Sequence, residues 1–138
     1  MKKAALTDYP LSETRPKNIS GPRGLSLDKI TLDAIAGGDI EIEDLRISRE
    51  ALLAQAEIAR AAGRETLALN FERGAELIDV PQEVIMQTYE MLRPGRVHSC
   101  ESLAKQAELL REEYGAKIIA DFVDRAAEIY RQRGLLDR

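Results

Sequence analysis

The sequence contains one histidine and one cysteine, His98 and Cys100, which lie two positions apart. Imidazole and thiolate are the ligands that Zn²⁺ prefers, and a structural zinc site needs four such groups. No further histidine or cysteine exists to complete the set. We therefore expect no metal site and no cysteine nucleophile, but an exposed histidine and a partly buried, structural cysteine.

Acidic residues are numerous enough to supply a general acid and a general base. Such groups need burial or a charged partner in a cleft to tune their pKa, and the sequence shows no apolar pocket around any of them. Several acids instead precede an arginine by three positions, which is the spacing of ion pairs on a helix surface. We therefore interpret the acids as solvated surface. They are the pairs Glu41/Glu43, Glu112/Glu113 and Asp121/Asp124, and the acid–arginine spacings Glu57–Arg60, Glu108–Arg111 and Glu128–Arg131.

Gly21 and Gly24 enclose a proline and an arginine, in a pattern that invites comparison with a phosphate-binding loop. The segment lacks the preceding strand and the Lys-Ser/Thr pair of such loops, so it predicts a turn. The sequence therefore supplies no candidate catalytic, cofactor-binding or metal-ligating residue.

Two other clusters carry side chains suited to binding a protein. Arg93-Pro94-Gly95-Arg96 places two guanidinium groups on a sharp turn, where they would bind carboxylates of a partner or close the end of their own helix. Asn70 and Phe71 place an amide beside a large aromatic ring within a helix. That ring belongs either to the core or to an interface, and the residues leave both alternatives open.

Apolar residues recur at helical spacing and nowhere at the two-residue spacing of strands. We predict an all-α protein, a helical bundle of about five main helices joined by short turns, with a shorter helix from Thr31 to Ala36 in front of them. The main helices are expected at 49–62, at 64–78, from Pro81 to a stop at Pro94, from Ser99 to Gly115, and at 116–133. Their core-facing stripes include Leu67, Phe71, Gly74, Ala75 and Ile78, then Leu103, Ala107, Leu110 and Tyr114, and then Ile119, Phe122, Val123, Ala126 and Tyr130.

Residues 1–24 form a different kind of segment, with three of the five prolines and a net charge of +3. Proline removes a backbone donor and disfavours helix in the residue before it. We therefore predict an extended or irregular N-terminal arm, followed by a helical domain of residues 25–138. The arm has too few apolar residues to fold alone, so it lies along its own domain, docks on an acidic partner, or is simply a solvated terminus.

The 138-residue chain carries a net charge of −4, which argues against a nucleic-acid partner, because phosphate binding needs clustered positive charge. No window approaches the roughly 18 consecutive apolar residues of a membrane span, and no signal peptide is recognisable. A single cysteine forms no intramolecular disulfide and suits a reducing compartment. We expect a cytoplasmic protein without nucleic-acid or membrane partners.

Several segments, in this order and spacing, resemble the small subunit of adenosylcobalamin-dependent diol and glycerol dehydratases. No single motif decides the resemblance, but the segments are colinear and cover most of the chain. They are Asp8-Tyr9-Pro10-Leu11, Ile30-Thr31-Leu32, Asp44 to Ser48, Gln55 to Ala59, Asn70 to Ile78, Val80-Pro81, Tyr89 to Pro94, Phe122-Val123 and Ala126 to Tyr130.

The resemblance implies a complex of large, medium and small subunits, assembled as a dimer of heterotrimers. In that family the large subunit is a TIM barrel that holds substrate and metal ions, and adenosylcobalamin lies between the large and medium subunits. Radical chemistry converts a 1,2-diol to an aldehyde and water. The small subunit is needed for assembly and supplies no catalytic group.

The candidate subunit interface combines the arm, the polar clusters and residues of the family resemblance. It comprises Tyr9, Pro10, Arg46, Asn70, Phe71, Arg93, Pro94 and Arg96. The resemblance leaves open propane-1,2-diol or glycerol as substrate, and a location free in the cytoplasm or inside a bacterial microcompartment. The residues alone also allow a free-standing helical adaptor unrelated to diol metabolism.

Overall fold

A computed structural model describes residues 3–97 and 99–136 of the chain. Within these ranges the regular elements are helices, and the all-α class is confirmed. The α-helices are α1 (Leu11–Thr14), α2 (Leu32–Ala36), α3 (Arg49–Ala61), α4 (Glu65–Leu77), α5 (Gln82–Leu92), α6 (Cys100–Glu112) and α7 (Lys117–Gln132). Short 3₁₀ helices lie at Leu6–Asp8, Pro16–Asn18, Leu27–Lys29 and Ile42–Leu45.

The helix ends follow from local chemistry that the sequence displays. The hydroxyls of Thr31, Ser48 and Ser99 each accept a hydrogen bond from the backbone N–H three residues later, which caps α2, α3 and α6. Gly63 and Gly115 follow α3 and α6 with φ of 74° and 64°, the left-handed conformation that glycine adopts at least cost. Local signals therefore set where these helices begin and end.

The chain divides into two compact units, Met1–Ala75 and Glu76–Arg138. The second unit has a continuous core in which α6 packs along α7. The stripe Leu103, Ala107 and Leu110 is fully buried, as its spacing predicts. The other buried members are Val80, Ala116, Ala120, Val123, Ala127 and Leu136.

The expected inward face of α7 is partly wrong. Val123 is buried, but the residues buried with it are Ala120 and Ala127, and Phe122 is 44% exposed. Small side chains at four- and three-residue intervals let α6 approach closely, so the alanines form the contact. The larger ring of Phe122 lines a groove together with Ile85 and Leu92 of α5. Ile119 and Tyr130 do pack against the cluster, at its edge.

The first unit has a smaller core, made in two pieces. Leu11, Ala54 and Ile58 form one buried cluster, and Ala56, Ala59 and Ala68 form another, against which Phe71 packs. The stripe predicted for α4 is only partly right, since Ala75 is buried as expected but Ile78 is 38% exposed. Leu67 is 37% exposed, because the face of α4 that meets α3 is the one that carries Ala68.

The described part of the N-terminal arm is not simply extended. Pro10 is the N-cap residue of α1, and Pro16 is the first residue of the 3₁₀ helix Pro16–Asn18, where the missing donor costs nothing. Pro22 lies in a non-helical turn. Leu11 is buried against α3, and the backbone N–H of Ala4 donates to the Glu57 carboxylate at 2.6 Å. Of the alternatives open for the arm, the structure shows it packed on its own α3, while a domain boundary at residue 24 stays a prediction.

Candidate subunit interface

In the described ranges, no group of three or more histidine, cysteine, aspartate and glutamate residues is placed to hold a metal ion. Cys100 is a free, half-buried thiol at the start of α6. His98 lies outside the described residues. The one thiol thus takes the partly buried position that its sequence context predicts.

The acid–arginine pairs are only partly those expected. Glu128 binds Arg131 at 2.6 Å, one turn apart on α7, and this pair is confirmed. Arg60 does not bind Glu57 but reaches over the turn after α3 to Glu65 and Glu72 on α4, at 3.0 and 2.9 Å. Because Glu57 already accepts from the arm, its carboxylate is engaged elsewhere.

Arg111 likewise binds across helices instead of along its own. Its guanidinium donates to Asp121 and Asp124 of α7 at 2.9 and 2.8 Å, so the prediction that Arg111 binds Glu108 is wrong. The two aspartates are exposed, as expected, and both carboxylates bind the same guanidinium group on the neighbouring helix. Together they raise the pKa of Arg111, Asp124 more than Asp121.

The remaining perturbed groups follow the same pattern. Hydrogen bonds from Arg131 and Gln132 lower the pKa of Glu128, and a hydrogen bond from Lys105 lowers the pKa of Glu101. Glu72 and then Glu65 raise the pKa of Arg60. All of these are solvent-facing ion pairs, whereas a catalytic acid or base is tuned by burial in a cleft.

Tyr9 and Phe71, two of the predicted interface residues, line one apolar groove in the first unit. The groove has a volume of about 510 Å³ and is lined further by Leu6, Gln55, Ile58, Ala59, Ala62, Arg64 and Leu67. Tyr9 is 65% exposed at its rim, while Phe71 is half-buried in its wall. Asn70 is exposed beside this wall and accepts a hydrogen bond from Arg73 at 3.0 Å. Phe71 therefore contributes to both the core and the surface.

Arg93, Pro94 and Arg96 lie together on an exposed turn of the second unit. Arg93 binds Glu90 at 3.1 Å and Arg96 lies 3.9 Å from the same carboxylate. Both guanidinium groups thus meet the last turn of their own α5. Their donors are only partly used by one carboxylate, and both side chains stay open to solvent.

Arg46 and Pro10 line neither the groove nor the turn, although Pro10 follows Tyr9 in sequence. Arg46 is 69% exposed and 4.0 Å from Glu43. Pro10 is half-buried at the start of α1. The predicted interface residues therefore fall at several separate places on the chain.

The sequence interpretation missed a group of exposed aliphatic residues in α2 and in the segment that follows it. Leu32 and Ile35 lie in α2, and Ile42, Leu45 and Ile47 lie between α2 and α3. A usable signal was present, because large aliphatic residues recur there in a segment too short to form an amphipathic helix of its own.

The model of the family described as dehydratase small subunit matches residues 4–137. The chain belongs to this family. The match includes the arm as well as the helices of both units, so it confirms the colinear resemblance seen in the sequence. As a family member, the chain is the small subunit of a dehydratase that contains further subunits.

Two relatives are identical to this chain at about two fifths of the aligned positions. The propanediol dehydratase small subunit of Citrobacter freundii is 43% identical over 130 residues, which cover 94% of this chain and 75% of the relative. The propanediol dehydratase small subunit of Salmonella typhimurium (strain LT2) is 41% identical over 132 residues, which cover 96% of this chain and 76% of the relative.

Among the helices of the described ranges, none has the length and apolar character of a membrane span.

Proposed function

We propose that this chain is a structural subunit of an adenosylcobalamin-dependent diol dehydratase that converts propane-1,2-diol or glycerol to an aldehyde and water. The observation that carries this proposal is the family match over residues 4–137, joined by two propanediol dehydratase small subunits at 43% and 41% identity. The radical chemistry and the adenosylcobalamin site belong to a large TIM-barrel subunit and a medium subunit, in a dimer of heterotrimers. This chain binds no cofactor and supplies no catalytic residue.

The described surface supports an assembly role. Its perturbed ionisable groups are solvent-facing ion pairs, while many large apolar side chains remain exposed. A surface of this kind is typical of a protein that is completed by its partners. The groove at Tyr9 and Phe71, with Pro10 and Asn70 beside them in sequence, forms one contact, Arg46 adds a second, and the turn of Arg93, Pro94 and Arg96 forms a third.

Co-expression with the two larger dehydratase subunits encoded in the same genome tests the function. We expect the chain to co-purify with them and the complex to release aldehyde from propane-1,2-diol or glycerol only when adenosylcobalamin is added. The matched control omits this chain from the same expression system, and should give little or no active complex. Activity of the purified chain alone, or failure to co-purify, would contradict the proposal, and the second result would favour a free-standing adaptor.

The cytoplasm is the proposed location. Fractionation of the native cells distinguishes a complex that is free in the cytoplasm from one that is enclosed in a microcompartment. A free complex stays in the supernatant after sedimentation of large particles, whereas an encapsulated complex pellets with a microcompartment shell. Relative rates on propane-1,2-diol and glycerol in the same preparation assign the substrate.

A further inference from the structure

Five large aliphatic side chains are exposed within one short stretch of the first unit. Leu32, Ile35, Ile42, Leu45 and Ile47 are 85, 49, 72, 59 and 51% exposed, and we call them the 32–47 surface. A single exposed leucine needs no explanation, since much of any protein surface is apolar. Five such residues within 16 positions indicate a binding surface.

The fold of the first unit leaves about half or more of each of these side chains uncovered. In the described chain, none of the five residues joins a buried cluster. The two clusters of that unit bury six residues, of which four are alanines. Burial of aliphatic area is the main stabilising contribution in folding. A unit that buries alanines and exposes leucines and isoleucines therefore gains less of this stabilisation than its residues could provide.

The charge around the 32–47 surface indicates what kind of partner covers it. Residues 27–47 contain six acidic and two basic side chains, a net charge of −4 that equals the net charge of the entire chain. Arg23 of the arm binds Glu41 at 2.8 Å and Asp44 at 3.2 Å, which offsets one of these charges. Asp33 and Asp39 stay exposed beside the aliphatic residues.

A second copy of this chain is a poor occupant for such a surface. In a symmetric dimer each patch meets itself, so the acidic borders would face one another at a cost in free energy. An apolar patch that basic side chains surround has the opposite charge, and attraction to the same carboxylates favours its binding.

We propose that the 32–47 surface docks on a companion subunit of the dehydratase, at an apolar patch that lysine and arginine side chains surround. The inference rests on the proposed function and adds to it the contact surface and the chemistry of the partner's surface. The contact is distinct from the groove at Tyr9 and Phe71, since the two share no lining residue.

The test measures the affinity of the purified chain for the complex of the two larger subunits. The variant Leu32→Ser with Ile42→Ser should raise Kd at least tenfold. Its melting temperature should stay close to wild type, because both side chains are mostly solvated already. The variant Asp33→Lys with Asp39→Lys should also weaken binding, and wild-type affinity should fall as salt is added.

Matched controls lie on the second unit. Met86→Ser removes a 50% exposed aliphatic side chain from α5, and Glu112→Lys reverses an exposed charge at the end of α6. Both should bind within about twofold of wild type, so that loss of affinity is tied to the 32–47 surface and not to surface substitution in general.

Each outcome decides between the proposals. If wild type binds and the serine variant binds equally well, the docking surface is wrong while the proposed function stands. If wild type fails to bind, both fall. A free chain that sediments as a dimer, and as a monomer after the serine substitutions, would assign the surface to self-association. Should the serine variant unfold, the charge-reversal variant decides, and unchanged affinity there would overturn the inference.

Discussion

At the scale of single residues, Glu76 shows how a side chain can act far from its place in the sequence. Its carboxylate accepts hydrogen bonds from the backbone N–H groups of Ile118 and Ile119, at 3.0 and 2.9 Å. These donors belong to the first turn of α7, whose own N-cap residue, Ala116, has no side-chain acceptor. Glu76 is only 8% exposed and therefore serves as the missing cap.

Replacement of Glu76 by alanine should lower the free energy of unfolding by about 1–3 kcal/mol, because two partly buried backbone donors lose their acceptor. Urea denaturation followed by circular dichroism measures this loss. Glu112→Ala, an exposed position at the end of α6, is the matched control and should stay within about 0.5 kcal/mol of wild type. Equal effects of the two substitutions would contradict the capping role.

A substitution of Tyr9 tests assembly with little effect on folding, because the ring is largely solvated at the rim of the groove. We expect Tyr9→Ser to leave the free energy of unfolding within about 0.5 kcal/mol of wild type and to reduce the yield of complex in co-purification. Tyr89→Ser is the control, since this tyrosine is 58% exposed on α5 and is not a predicted interface residue. A variant at Tyr9 that assembles fully would remove the groove from the interface.

The residue-scale predictions succeeded where partners are local and failed where they are distant. The pair Glu128–Arg131 is one helical turn long, so its spacing was sufficient. Arg60 and Arg111 bind acids on the following helix, and Glu76 caps a helix 42 positions away, so their partners depend on packing that a single sequence does not show. All of the predicted interface residues, including Tyr9 and Phe71 at the groove, stay predictions, because they depend on a partner's surface.

At the scale of elements, α6 and α7 contain the best-defined contact of the second unit. The stripe of Leu103, Ala107 and Leu110 meets the alanine-rich face of α7. The Tyr130 hydroxyl then donates to the Leu92 carbonyl at 2.6 Å, and Gln106 donates to Thr88 at 2.8 Å, so polar bonds join α5 to the pair. Helix packing and buried hydrogen bonds thus stabilise the same three elements.

Leu103 offers a direct measure of this packing, since it is fully buried. Leu103→Ala should lower the free energy of unfolding by about 3–5 kcal/mol, through lost burial and the cavity left behind. Leu135→Ala, at a 39% exposed leucine after α7, should cost less than about 1 kcal/mol. Thermal and urea unfolding measure both losses of stability. A small loss for Leu103→Ala would mean that the core around this side chain is loosely packed.

Helix ends proved more predictable than helix faces. Serine and threonine caps and the glycines that follow α3 and α6 are local signals, and the five long helices lie within about two residues of their expected bounds. The buried face depends on which neighbour is closest. Because alanine permits the closest approach, α7 buries Ala120 and Ala127 instead of Phe122, and α4 buries Ala68 instead of Leu67.

At the scale of the whole molecule, the two units differ in how much they bury. The second unit buries Leu103, Leu110 and Val123 completely. The first unit buries mostly alanine, with Leu11 and Ile58, and exposes several of its other large aliphatic residues. Stability within one chain is rarely uniform, and local opening is easiest where few apolar contacts must be broken.

Hydrogen exchange followed by mass spectrometry should make this difference visible. In the free chain, amides of α6 and α7 should exchange slowly and those of residues 32–47 rapidly. Binding of the larger subunits should slow exchange in residues 32–47 and around Tyr9, with little change in α6. Protection confined to α6 and α7 on assembly would place the interface on the second unit instead.

The alanine-rich core of the first unit has a consequence for the cell. A copy without a partner should open there first, and an opened segment is what proteases cut. Orphan copies should therefore be degraded within a short time after synthesis, and the amount of this polypeptide should follow that of its companions. Degradation of unassembled copies would thus remove any copies translated in excess. The stoichiometry of the subunits would be maintained without a dedicated regulator.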